Sequence, residues 1–96
     1  MRDEFAPKWR GKEITLTLSA YRELEKYWMD TTDLIMVLED GFDCPRSKRK
    51  EGVLEKCIIK GKKVRKVVVV DQSDYWLIIH VGEFTASKKS LRRFKF

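Results

Sequence analysis

The side chains able to do chemistry in this 96-residue sequence are mostly cationic, and they fall into three groups. Arg46, Lys48, Arg49 and Lys50 form the first, Lys60, Lys62, Lys63, Arg65 and Lys66 the second, and Lys88, Lys89, Arg92, Arg93 and Lys95 the third. Clustered Lys and Arg neutralise phosphates, and the counterions released on contact make such binding strongly salt-dependent. Tyr75, Trp76, Phe84 and Phe94 lie near these groups, and unpaired bases stack on such rings. The same residues also describe a solvated, charge-rich surface over an aromatic core, because lysines at hairpin turns commonly protect sheet edges. His80 is the single histidine, in the run Ile78-Ile79-His80-Val81. It is either a packed strand residue or a general acid or base near neutral pH.

Other chemistry finds little support. Glu23, Glu25, Asp33, Glu39 and Asp40 read as helix-surface and capping groups, and there is no P-loop and no GxGxxG. Cys44 and Cys57 lack a CxxC spacing and a His/Cys cluster, so no zinc site is expected, and no cofactor. Cys57 follows Lys56 and precedes Ile58 and Ile59, and reads as a small buried hydrophobe. A Cys44–Cys57 disulfide is open but not favoured in a reducing compartment.

The net charge of +6 hides an asymmetry. Residues 1–41 hold six Lys/Arg against nine Asp/Glu, whereas residues 42–96 hold fifteen against six, or −3 against +9. A basic half of that strength suits an anionic partner, either RNA or an acidic protein. The start Met1-Arg2-Asp3-Glu4-Phe5 has no apolar stretch of the kind a secretory leader needs. Apolar runs such as Val67 to Val70 are far short of the roughly 18 residues that cross a bilayer. No membrane partner is expected, and the protein is expected to be cytoplasmic. The sequence has no Asn and only Gln72 among glutamines, a composition resembling thermophilic proteins.

The elements that must position these groups follow from periodicity. One domain spans the chain, with residues 1–12 a loose arm anchored by Trp9 and residues 85–96 a basic tail, helix or arm. Ile14 to Leu18 alternates as a short strand or extended lead-in, and Ser19 is placed to cap a first helix. Ala20, Leu24, Tyr27 and Trp28 give that helix its apolar face. Asp30 or Thr31 caps a second helix, which ends at Gly41 in a left-handed residue. Phe42 to Cys44, Val53 to Lys60, Lys63 to Asp71 and Tyr75 to Glu83 then read as strands, the third central because its valines need cover on both faces. The expected fold is α+β, with two N-terminal helices packed on one face of a three- to four-stranded antiparallel sheet.

Two stretches carry a family likeness. Leu18-Ser19-Ala20-Tyr21-Arg22 through Met29 to Gly41, and Gly61 to Val70 followed by Trp76 to Val81, resemble a small domain family related to the BrnT and RelE ribonuclease toxins. The resemblance covers residues 16–84 and implies a compact α+β fold with a basic sheet surface. It also implies RNA cleavage without a metal, or pairing with an acidic antitoxin-like protein or a second copy. On that reading Lys62, Lys63, Arg65 and Lys66 hold phosphates, and Tyr75 and His80 stack a base or transfer a proton. Ser19 stands where members of that family usually carry histidine, and Tyr27 near where they carry arginine.

Overall fold

In the computed structural model, which describes residues 7–44 and 51–85, Arg10 and Gly11 both take positive φ (51° and 79°). Two left-handed residues in a row make a type I′ turn, whose twist suits a tight hairpin. The turn folds Lys8–Trp9 (β1) back onto Lys12–Leu16 (β2). The segment expected as a loose arm is therefore, from Lys8 onward, part of the sheet.

Thr17, not Ser19, caps the first helix, its hydroxyl accepting from the Ala20 N–H at 3.1 Å. Helix α1 runs Leu18–Lys26 and α2 runs Thr31–Asp40. At α2, Asp30 and Asp33 each accept the other's backbone N–H at 2.9 Å, closing a reciprocal capping box. Strands β3 (Phe42–Asp43), β4 (Val53–Lys60), β5 (Lys63–Asp71) and β6 (Tyr75–Thr85) follow.

The six strands lie in the order β1-β2-β6-β5-β4-β3, a mixed sheet curled into a half-barrel. This corrects the expected three- to four-stranded antiparallel sheet. Two strands precede the helices, and β2 pairs with β6 in parallel, from Glu13 opposite Tyr75 to Leu16 opposite Ile78. The physical reason is long-range. The chain leaves β2, crosses both helices and a β3–β5 meander, and returns beside β2 in the same direction. Side-chain periodicity reports a strand's faces and is silent about its neighbours.

The β4, β5 and β6 ranges agree with the expected strands to within two residues, and β5 lies inside the sheet as its valines require. Val67, Val68 and Val69 are fully buried. A bulge sets the faces of β6: Val68 is opposite His80 but Val69 is opposite Ile78, so Ile79 is the extra residue. Ile78 and Val81 thereby both face the helices, where they join Ala20, Leu24, Met29, Leu34, Val37 and Val67 in the core. At the other end of that face Trp9 and Trp76 pack at 4.7 Å, and the Trp76 indole donates to the Trp9 carbonyl at 2.8 Å.

Two local expectations also change. Cys44 and Cys57 are joined in a disulfide, packed with Val64 on the face away from the helices. It ties β3 to the middle of β4, since Phe42 is opposite Cys57. Gly41 is extended (φ −74°) and not left-handed. Glycine is needed there for space: a Cβ would run into the Val37 carbonyl and come within 2.8 Å of the Cys57 carbonyl. Gly41→Ala should therefore cost about 1–3 kcal/mol, from backbone forced apart at the α2–β4 junction. A urea midpoint equal to that of the unaltered protein would contradict this packing.

Candidate functional site

Helix α1 ends in an unusual way. The Trp28 N–H bonds the Glu25 carbonyl at 3.1 Å and the Met29 N–H bonds the Leu24 carbonyl at 3.0 Å, the two bonds of a Schellman motif. That motif needs a left-handed residue at its next-to-last position, normally glycine. Here it is Trp28, with φ 54° and 93% of its surface exposed. A bulky residue in this conformation costs about 1–2 kcal/mol, and Trp28 gains almost no burial in return. Meanwhile Met29 and Leu24, the motif's apolar pair, sit in the core. Strain without structural return marks a position held for another purpose.

Trp28 stands on the rim of a cleft of about 510 Å³, lined also by Lys26, Tyr27, Lys60, Lys63, Arg65 and Glu83. The α1–α2 turn supplies one wall, and the far ends of β4, β5 and β6 supply the other. Lys60 and Lys63 flank the two-residue turn Gly61–Lys62 and face each other across the ladder. Like charges in register are mildly destabilising, and Lys60 meets no carboxylate among the described residues. Lys26 sits with its ammonium 5.5 Å from the Tyr27 ring. An anion placed here would relieve the repulsion, and an aromatic ligand would find an exposed indole.

Arg65 holds the floor. It donates through Nε to Glu83 at 2.9 Å and through a terminal nitrogen to Asp33 at 3.0 Å. The Asp33 carboxylate thus serves two masters, one oxygen capping α2 and the other receiving Arg65. The Asp30 backbone N–H and then Arg65 hold the Asp33 carboxyl below its ordinary value. Arg65 does the same for Glu83, which also lies 3.4 Å from Lys63, and Glu83 in turn holds the Arg65 proton more tightly. Two of the four cations lining the cleft are therefore partly compensated, while Lys26 and Lys60 meet no carboxylate among the described residues.

The residues singled out from the sequence divide. Lys63 and Arg65 come together in the cleft, and Lys62 occupies the adjoining turn. Lys66 faces the other way and is paired with the buried carboxylate of Glu55. Tyr75 and His80 share that far face. Five residues of strand separate them, roughly 15 Å, so they form no acid–base pair. His80 instead places Nδ1 2.9 Å from the Glu23 carboxylate, which also accepts the Val81 N–H at 3.2 Å and so clips α1 to β6 where β2 no longer pairs. Arg46, Lys48, Arg49, Arg92 and Arg93 lie outside the described residues, as do the terminal tail and Phe94. The sequence reading missed Lys26, Tyr27 and Trp28. The available signal was a tryptophan at the end of a helix, where glycine was due.

Compared with known protein families, with curated proteins and with solved structures, the chain matches none.

The Arg65 clasp makes a pH prediction. Asp33 and Glu83 titrate below their ordinary 3.8 and 4.5 in the folded protein, so the unfolded chain takes up protons first as pH falls. The stability they contribute is complete above about pH 5 and drains away below about pH 4. Arg65→Met should lower stability at pH 7 by about 3 kcal/mol and flatten that acid limb. Urea midpoints at pH 7 and pH 3 for both proteins check it; parallel acid limbs would show that the clasp is not what titrates.

Proposed function

We propose that the protein binds single-stranded RNA through the cleft at the α1–α2 turn, with a base stacked on Trp28 and phosphates on Lys26, Lys60 and Lys63. The observation that carries this reading is Trp28 itself, 93% exposed and held in a costly backbone conformation beside Lys26 and Lys60, which meet no carboxylate among the described residues. Stacking on an exposed ring is tolerant of sequence and is worth about 1–3 kcal/mol per base. The lysines add the electrostatic part, and the chain's net charge of +6 favours the approach of an anionic strand. The likeness to the BrnT and RelE toxins points to the same partner.

A second reading, strand cleavage, draws on one further observation. His80 has Nδ1 engaged by Glu23 and lies on the sheet face opposite the cleft, so this reading places the scissile strand on that face. An imidazole so oriented is suited to general acid–base chemistry through Nε2. Chelator-resistant cleavage of a labelled RNA that is lost in His80→Gln would support it, and cleavage unchanged by that substitution would end it.

No helix among the described residues is long and apolar enough to cross a membrane. A disulfide belongs to oxidising compartments or to the interior of hyperthermophiles. With the amide-poor composition, we take the second setting and place the protein in the cytoplasm.

Binding should be read by fluorescence anisotropy of a labelled single-stranded RNA as salt is varied. With three phosphates contacted, log Kd should change by about 2 per decade of salt, and Lys63→Glu should lower that slope as well as the affinity. Trp28→Gly separates function from stability. It should raise stability by about 1 kcal/mol while weakening RNA binding at least tenfold. Unchanged affinity in that variant would remove the base from Trp28.

A further inference from the structure

We infer that the cleft prefers guanine among the four bases, and that Glu83 is the residue that reads it. The inference rests on the RNA-binding reading above and names the ligand of the same site.

Glu83 is the carboxylate that lines the cleft, and its side chain is only 13% exposed. Arg65 Nε occupies Oε2 at 2.9 Å, and Lys63 approaches Oε1 at 3.4 Å. A carboxylate offers about four acceptor positions, so acceptor capacity remains on both oxygens. Those oxygens sit directly beside cationic donors, Arg65 on one side and Lys63 on the other. A base entering against Trp28 therefore meets a donor next to a pair of acceptors.

The edges of the four bases answer this arrangement differently. Guanine presents O6, an acceptor, followed by N1–H and the N2 amino group, two adjacent donors. It alone can place two hydrogen bonds on one carboxylate while its carbonyl receives a proton donor from Lys63 or Arg65. Adenine and cytosine each bring a single amino donor, and uracil a single imino donor flanked by carbonyls that would face the Glu83 oxygens. Hydrogen bonds to an ionised group are the strong ones, and one good bidentate contact discriminates bases by about tenfold or more.

The test uses the unaltered protein and short oligouridines carrying one central guanine, adenine, cytosine or inosine, with anisotropy as the readout. Guanine should bind about tenfold tighter than adenine or cytosine. Inosine lacks only the N2 amino group and should lose most of that advantage, whereas 7-deazaguanine, altered away from this edge, should bind like guanine. Equal affinity for all oligonucleotides would overturn the inference and leave RNA binding standing. Failure of every oligonucleotide to bind at low salt would overturn both. Glu83→Gln, checked for folding by its thermal melt, should erase the guanine preference while overall affinity for uridine rises. A preserved preference in that variant would count against Glu83, and if the variant does not fold, the inosine comparison decides alone.

Discussion

The fork of Arg65 between Asp33 and Glu83 is the interaction on which the cleft depends. One side chain from β5 reaches the first turn of α2 and the neighbouring strand β6, so three elements are fixed relative to one another by a single planar group. A lysine in this place would carry the same charge but not the two-pronged geometry. Asp33 cannot be pulled from Arg65 without also loosening the α2 cap, since one carboxylate does both jobs. Because Asp33 follows Trp28 by five residues, the clasp also sets where the α1–α2 turn lies over the sheet.

On that rigid floor the protein places a feature that costs stability. A glycine would complete the Schellman motif without strain, and a polar residue would suit the exposure. Tryptophan does neither. The opposing lysines at the end of β4 and the start of β5 repeat the pattern on the other wall, with charges in register and only Lys63 near a carboxylate among the described residues. Both features are unfavourable in the free protein and favourable once an anion with a flat ring is present. That coincidence in one cleft, more than the number of basic residues, distinguishes a binding surface from a well-solvated one.

Much of the local structure was legible in the sequence, and the reasons are local. The β-forming residues of Val53 to Lys60 and Tyr75 to Glu83, the valine run of β5 and the capping position at Asp30 are short-range signals, and the structure follows them. The sheet's topology was not legible, because the parallel contact of β2 with β6 joins residues some sixty positions apart and leaves no periodic trace. The Arg10-Gly11 turn was readable in principle, yet the charges and Pro7 around it pointed to an arm. Cationic residues were easy to find, but their direction was not: Arg65 and Lys66 are adjacent and lie on opposite faces, one in the cleft and one on Glu55. The disulfide was discounted on grounds of compartment, and the proximity of Cys44 to Cys57 comes only from β3 pairing with β4.

The three tryptophans Trp9, Trp28 and Trp76 offer the most direct check, since two are buried together and one stands at the cleft. The measurement is a titration with single-stranded RNA followed through the three indole N–H resonances. The account predicts that the Trp28 signal shifts and saturates, with the backbone amides of Lys60 and Lys63, while Trp9 and Trp76 stay in place. Shifts gathered instead around Tyr75, His80 and Lys66, with Trp28 unmoved, would put the ligand on the opposite face and contradict it.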